Sequence, residues 1–136
     1  SIDEAAAIML GQLSTAHGLS ARVEPAGALA TTNIFRLETT GVAIVCLVYL
    51  DANAPAHMRY SVRRLRRKLP TARIVVVCPV SGTDRATLQQ LGDGAKADLA
   101  AASLGEAVKL CIEAAGPKFP TVAVPAHDLL PETTAA

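Results

Sequence analysis

The sequence predicts an α/β fold, a three-layer sandwich in which a mostly parallel sheet lies between helices. Three observations carry that expectation. An apolar run, Val42-Ala43-Ile44-Val45-Cys46-Leu47-Val48-Tyr49-Leu50, stops at Asp51, and a second, Arg73-Ile74-Val75-Val76-Val77-Cys78, stops at Pro79. Both are rich in β-branched residues and lack in-and-out alternation, so they read as strands buried on both faces of a parallel sheet. Segments of helical period alternate with these runs, as α/β architecture requires. At 136 residues the chain is long enough for one domain with a genuine core.

Residues 1–17 read as a helix. Ser1 and Glu4 form an S-x-x-E capping box, Ile2, Ala6, Met9, Leu13 and Ala16 recur at helical spacing, and Gly18 stops it. Residues 21–24 make a short strand ended by Pro25, and 26–40 allow a poor helix at best. Residues 42–50 form the first strong strand. The clearest helix spans 55–69, with Pro55 in its first turn, an apolar stripe of Met58, Val62, Leu65 and Leu69, and Pro70 behind it. Residues 73–78 form the second strong strand, 83–91 a helix stopped by Gly92, and 96–101 a weak strand. A last helix covers 103–115, with a capping box at Ser103 and Glu106 and an inward face of Leu104, Val108, Cys111 and Ile112. The domain is expected to be 1–116. Residues 117–136 hold four of the eight prolines and little periodicity, and read as an extended or disordered Pro-rich tail.

This order resembles a flavodoxin-like domain that has lost its first strand. In that fold the first strand is central, in the order 2-1-3-4-5. A chain that begins at the first helix would leave a gap beside 42–50, with costly unpaired backbone groups. Either an upstream strand was deleted, or a swapped segment fills the slot, or the strand order differs; a natural strand upstream of residue 1 is the expectation.

Composition narrows the function. Aromatics are 3%, Trp is absent and the net charge is +1, so few surfaces can stack bases or flavins and nucleic acid is not an expected partner. Cys46, Cys78 and Cys111 have no ligand spacing and read as reduced, buried thiols. His17, His57 and His127 are scattered, so no metal or other cofactor is expected.

Two sets of residues are site candidates. Asp51 and Asn53 follow the first strong strand and Ser81 follows the second, at the carboxyl ends where open α/β sheets bind ligands. Capping is the plainer role for each. Asp51 and Pro55 are similar in outline to the phospho-accepting end of a receiver domain. The acidic cluster and the Lys that phosphoryl transfer needs are missing, so any receiver would be degenerate. The second set is Arg59, Arg63, Arg64, Arg66, Arg67 and Lys68, six of the thirteen basic residues on one helix, with no Asp or Glu from 52 to 83. They avoid the apolar stripe and present a cationic outer face. Such a face suits anionic lipid headgroups. Its plainer role is a solvated surface whose arginine stems cover apolar neighbours.

Ile2-Asp3-Glu4-Ala5-Ala6-Ala7 with His17-Gly18-Leu19, and the segment from His57 to Ile74 with Arg63-Arg64-Leu65-Arg66-Arg67-Lys68-Leu69-Pro70, resemble the soluble region of bacterial autoinducer-2 exporter (PerM-like) permeases. The resemblance spans 1–115. It implies a cytoplasmic domain attached to the inner membrane through an upstream segment, in keeping with a first residue that is Ser rather than Met. It transfers no catalytic residues. Cobalamin-binding domains share the architecture, but their D-x-H-x-x-G motif is missing.

The expected function is therefore a non-catalytic regulatory or interaction domain of a membrane transporter. Its partner would be an anionic membrane surface or the transmembrane portion, and a second copy of the chain is a further candidate. A small-ligand or anion sensor at Asp51, Asn53 and Ser81 is the alternative.

Overall fold

The two long apolar runs form adjacent, parallel strands in the computed structural model, which describes residues 2–24, 37, 41–50, 55–79, 84–115 and 121–125. In chain order the elements are α1 (Ile2–Ala16), β1 (Ala21–Val23), β2 (Ile44–Val48), α2 (Pro55–Lys68), β3 (Arg73–Val77), α3 (Arg85–Ala95), β4 (Leu99–Ala101), α4 (Leu104–Ala115) and β5 (Thr121–Pro125). They build one five-stranded sheet of order β1-β5-β2-β3-β4 in which every pairing is parallel. Val45 pairs with Ile74 and Leu47 with Val76, and all four side chains are buried.

The sheet divides the core in two. On one face Val45, Leu47, Tyr49, Ile74 and Val76 pack against Met58, Val62 and Leu65 of α2 and Leu88 of α3. On the other, Ile44, Cys46, Val48, Val75 and Val77 meet Ala7 and Leu10 of α1 and Val108 and Cys111 of α4. Helices thus cover both faces, which is why the strands carry no polar alternation.

The slot beside β2 is filled from the far end of the chain. Residues 121–125, expected in the tail, form β5 between β1 and β2, with Thr121 opposite both Ala21 and Ile44. The pairing satisfies backbone groups of two strands that would otherwise face each other across a gap. Thr-Val-Ala-Val carries the same apolar, β-branched signal as the run at 42–50 but in fewer residues, and the prolines around it mask that signal. Pro125 falls at the strand's last position, where a missing N–H is tolerated.

Two helix faces and one helix boundary differ from the sequence expectation. On α1 the buried residues are Ala6, Ala7, Leu10, Gly11 and Ser14, while Met9 is exposed. Small residues let this helix approach the sheet closely: a Cβ on Gly11 would stand 2.6 Å from Val23 Cγ2. On α4 the inward residues are Ala107, Val108 and Cys111, and Ile112 points outward. Gly92 does not stop α3. It sits inside the helix, where a Cβ would come 3.2 Å from the Ala100 Cβ, and the helix ends at Lys96.

Charged side chains brace the outer strand. Arg85 of α3 and Glu106 of α4 form two parallel bonds of 3.1 and 2.8 Å around the edge strand β4. The capping pattern at Ser103 is present: Ser103 Oγ accepts from Glu106 N at 3.0 Å, and Glu106 reaches back to Ala102 N at 3.3 Å. Asp84 caps α3 by accepting from Thr87 N at 2.7 Å.

Candidate functional site

The site begins with the amphipathic pattern of α2. Met58, Val62, Leu65 and Leu69 are buried against the sheet, so the remaining positions turn outward. Arg59, Arg63 and Arg67 follow one another at spacings of four residues along a single ridge and are exposed. Cations so spaced repel one another, by a few tenths of a kcal/mol per pair. The sequence places no carboxylate on this helix to offset them. Arg66, Arg67 and Lys68 occupy the last turn, where the helix dipole favours positive charge.

The six basic side chains do different work. Arg64 lies over the Tyr60 ring, 5.3 Å from its centre. Arg66 is tied down: its Nη1 donates to Asp98 Oδ2 at 3.0 Å and its Nη2 to the Lys96 carbonyl at 3.0 Å. Lys68 turns away and lines a shallow depression with Gly41, Leu69 and Pro70. Arg59, Arg63 and Arg67 make no ion pair among the described residues.

Between α2 and the end of α3 lies a groove of about 300 Å³. Val62 and Ala95, each 2% exposed, form its floor. Arg59, Arg63, Arg66 and Arg67 contribute mostly their carbon stems to one wall, and Lys96 stands on the other. No carboxylate lines it among the described residues. Lys96 closes α3 in the left-handed conformation, at φ 64° and ψ 32°. Its amide reaches Asp93 O at 3.1 Å and the Ala97 amide reaches Gly92 O at 3.0 Å, so the last carbonyls of α3 are satisfied.

Asp98 anchors Arg66 beside the groove. Burial alone would raise its pKa, but the Ile74 amide at 2.8 Å and the Arg66 guanidinium outweigh burial and keep the carboxyl below its ordinary value.

At the carboxyl end of β2, the Tyr49 hydroxyl lies 3.3 Å from His57 Nδ1, with the rings edge to face. Burial raises the phenol's pKa well above its ordinary range and lowers that of the imidazole. The Ser61 hydroxyl is near enough to Tyr49 to offset part of that rise, but its geometry falls short of a hydrogen bond. Asp51, Asn53 and Ser81, the expected carboxyl-end site, lie outside the described residues.

All three cysteines are buried thiols, and none is in a disulfide. Burial pushes Cys78 up to about 11. The Sγ atoms of Cys46 and Cys111 stand 3.6 Å apart, and that contact together with burial raises Cys46 well above its ordinary value. These are packed core groups rather than nucleophiles. His17 is a helix-end residue whose Nδ1 lies 2.9 Å from the Leu13 carbonyl.

The basic ridge was legible from residue spacing, but the groove was not. Lys96 enters it only because α3 runs past Gly92 and carries Ala95 in its last turn.

Among the described residues no helix is long and apolar enough to cross a membrane, and no group of His, Cys, Asp or Glu side chains could hold a metal ion. Set against family models, curated proteins and solved structures, the chain matches none.

Proposed function

We propose that this chain is a non-catalytic interaction domain whose α2 face docks on an anionic membrane surface. The observation that carries the reading is the ridge of Arg59, Arg63 and Arg67, exposed and without carboxylate partners among the described residues. An anionic surface would neutralise the repulsion along that ridge.

The magnitudes favour reversible docking. At roughly 1 kcal/mol per basic residue near a charged leaflet, the three arginines supply about 3 kcal/mol, and all six basic residues of α2 would supply at most about 6. Dissociation constants from several millimolar for the three arginines down to, at the tightest, tens of micromolar follow, in order of magnitude. Binding that weak becomes useful when the domain is tethered to the same membrane, because a short tether supplies a millimolar effective concentration.

A tether is what the resemblance to autoinducer-2 exporter (PerM-like) permeases implies, and the segments 2–7, 17–19 and 57–74 support that assignment. On this reading the domain is cytoplasmic and regulates or positions a transporter. The strand order supports a flavodoxin-like layout whose central strand is supplied by β5 rather than by a segment before α1.

Co-sedimentation with vesicles at low ionic strength tests the proposal. Binding to phosphatidylcholine vesicles that contain phosphatidylserine, none to phosphatidylcholine alone, and steep weakening by salt are expected. Equal binding to both vesicles, or binding to neither, contradicts it.

A further inference from the structure

We infer that Cys46 and Cys111 are a latent disulfide, a lock between the sheet and α4 that closes on exposure to peroxide. The lock is independent of the docking of α2.

The fold brings the two sulfurs together from distant parts of the chain. Cys46 lies in the middle of β2 and Cys111 in the second half of α4. They are 65 residues apart in sequence, yet their Sγ atoms stand 3.6 Å apart. Neither residue is exposed, and both belong to the core cluster that holds Ala107 and Ala123. A disulfide holds its sulfurs at about 2.05 Å, so closure needs about 1.5 Å of approach from this contact. Ala123 stands across from Cys46 in β5, and Val75 across from it in β3. The methyl of Ala123 crowds the Cys46 side chain less than a valine would.

The sheet selects this pair from the three cysteines. Cys78 packs with Ile74 and Val76 in the core under α2 and α3, on the opposite face. Strand alternation puts it there, so β3 separates it from Cys46 and Cys111.

While the fold is closed, the pair is inert. Burial and the mutual contact hold the Cys46 thiol well above its ordinary pKa, and the thiolate is the reactive form. Reaction therefore waits for α4 to lift from the sheet. Local openings of this kind cost less than global unfolding. The pair thus reports how often α4 opens.

The chemistry balances with one peroxide. On opening, the Cys111 thiolate attacks a peroxide oxygen, the O–O bond breaks and hydroxide leaves, giving a sulfenic acid. On reclosing, the Cys46 sulfur loses its proton and attacks the Cys111 sulfur. The S–O bond breaks and water leaves. Two thiols and one hydrogen peroxide become one disulfide and two waters. The sulfurs lose two electrons and the peroxide oxygens gain them. The new bond spans α2, β3, α3 and β4, and α4 can no longer lift from β2.

The test treats the full chain with hydrogen peroxide, in buffer and in urea below its unfolding transition. The oxidised chain is expected to lose two hydrogens in intact mass. Peptide mapping should find the Cys46–Cys111 link, formed faster in urea. Its melting temperature should rise by about 5–15 °C and return on reduction with dithiothreitol. Cys78→Ala should keep the link and the rise, and Cys111→Ala should lose both. Should Cys111→Ala fail to fold, the wild-type map decides alone. A link that involves Cys78, sulfinic acids without a link, or no link in either condition overturns the pairing. A Cys46–Cys111 link that lowers the melting temperature overturns the lock.

Discussion

Arg66 and Asp98 stand 3.0 Å apart, and the carboxylate oxygen that takes the guanidinium also takes the Ile74 amide at 2.8 Å. One atom thus joins α2, β3 and the approach to β4, and it fixes how α2 lies beside α3.

Asp98→Asn is expected to destabilise the fold by about 1–2 kcal/mol, because a charge-assisted bond and a backbone bond both weaken. The effect should depend on pH. A carboxyl whose pKa falls on folding adds stability above its unfolded value, near 4, and loses it as pH drops through the lower folded value. The gap between wild type and variant in urea midpoint should therefore be full at neutral pH and shrink below about pH 4. Equal midpoints at neutral pH would contradict this role.

His57 sets a second pH window. Burial lowers its pKa, so the folded state prefers the neutral ring. Its stabilising contribution is present above the unfolded value, near 6.5, and declines as pH falls through that value towards the folded one. Urea midpoints of wild type should fall between about pH 7.5 and 5.5. His57→Gln, which cannot titrate, should show a flatter profile over that range. Identical slopes would remove His57 as the cause.

The chain end makes the third prediction. Deleting residues 117–136 removes β5 and leaves β1 and β2 without their shared partner. The shortened chain is expected to lose cooperative thermal unfolding and to aggregate through the exposed strand edges. Ala123, 2% exposed in the middle of β5, offers a point test: Ala123→Asp should unfold the domain by burying an unpaired carboxylate. A truncated chain that melts like the full one would show that β5 is dispensable.

These tests also separate what sequence could reveal from what it could not. The long runs at 42–50 and 73–78 were readable because burial on both faces leaves a continuous apolar signature. The helix over 55–69 was readable because Met58, Val62, Leu65 and Leu69 keep a helical period. β5 was hidden because its five residues lie among prolines and its partners lie far earlier in the chain, with Thr121 opposite Ala21 and Ile44. The α3 boundary was misplaced because Gly92 reads as a stop, whereas its bare Cα serves close packing on Ala100. The groove depends on α2 meeting the end of α3, and the Arg66 contacts to Lys96 and Asp98 cross 30 and 32 residues of chain. Pairings at that separation leave no periodic trace in a single sequence.

The claim that α2 faces an anionic surface is tested most directly by reversing the ridge alone. In the variant Arg59→Glu, Arg63→Glu, Arg67→Glu, Arg66 stays in place because it holds α2 to Asp98 and Lys96. Its partitioning onto phosphatidylserine-containing vesicles should drop to the level seen with phosphatidylcholine alone, at an unchanged melting temperature. Undiminished binding by a folded variant would contradict the account.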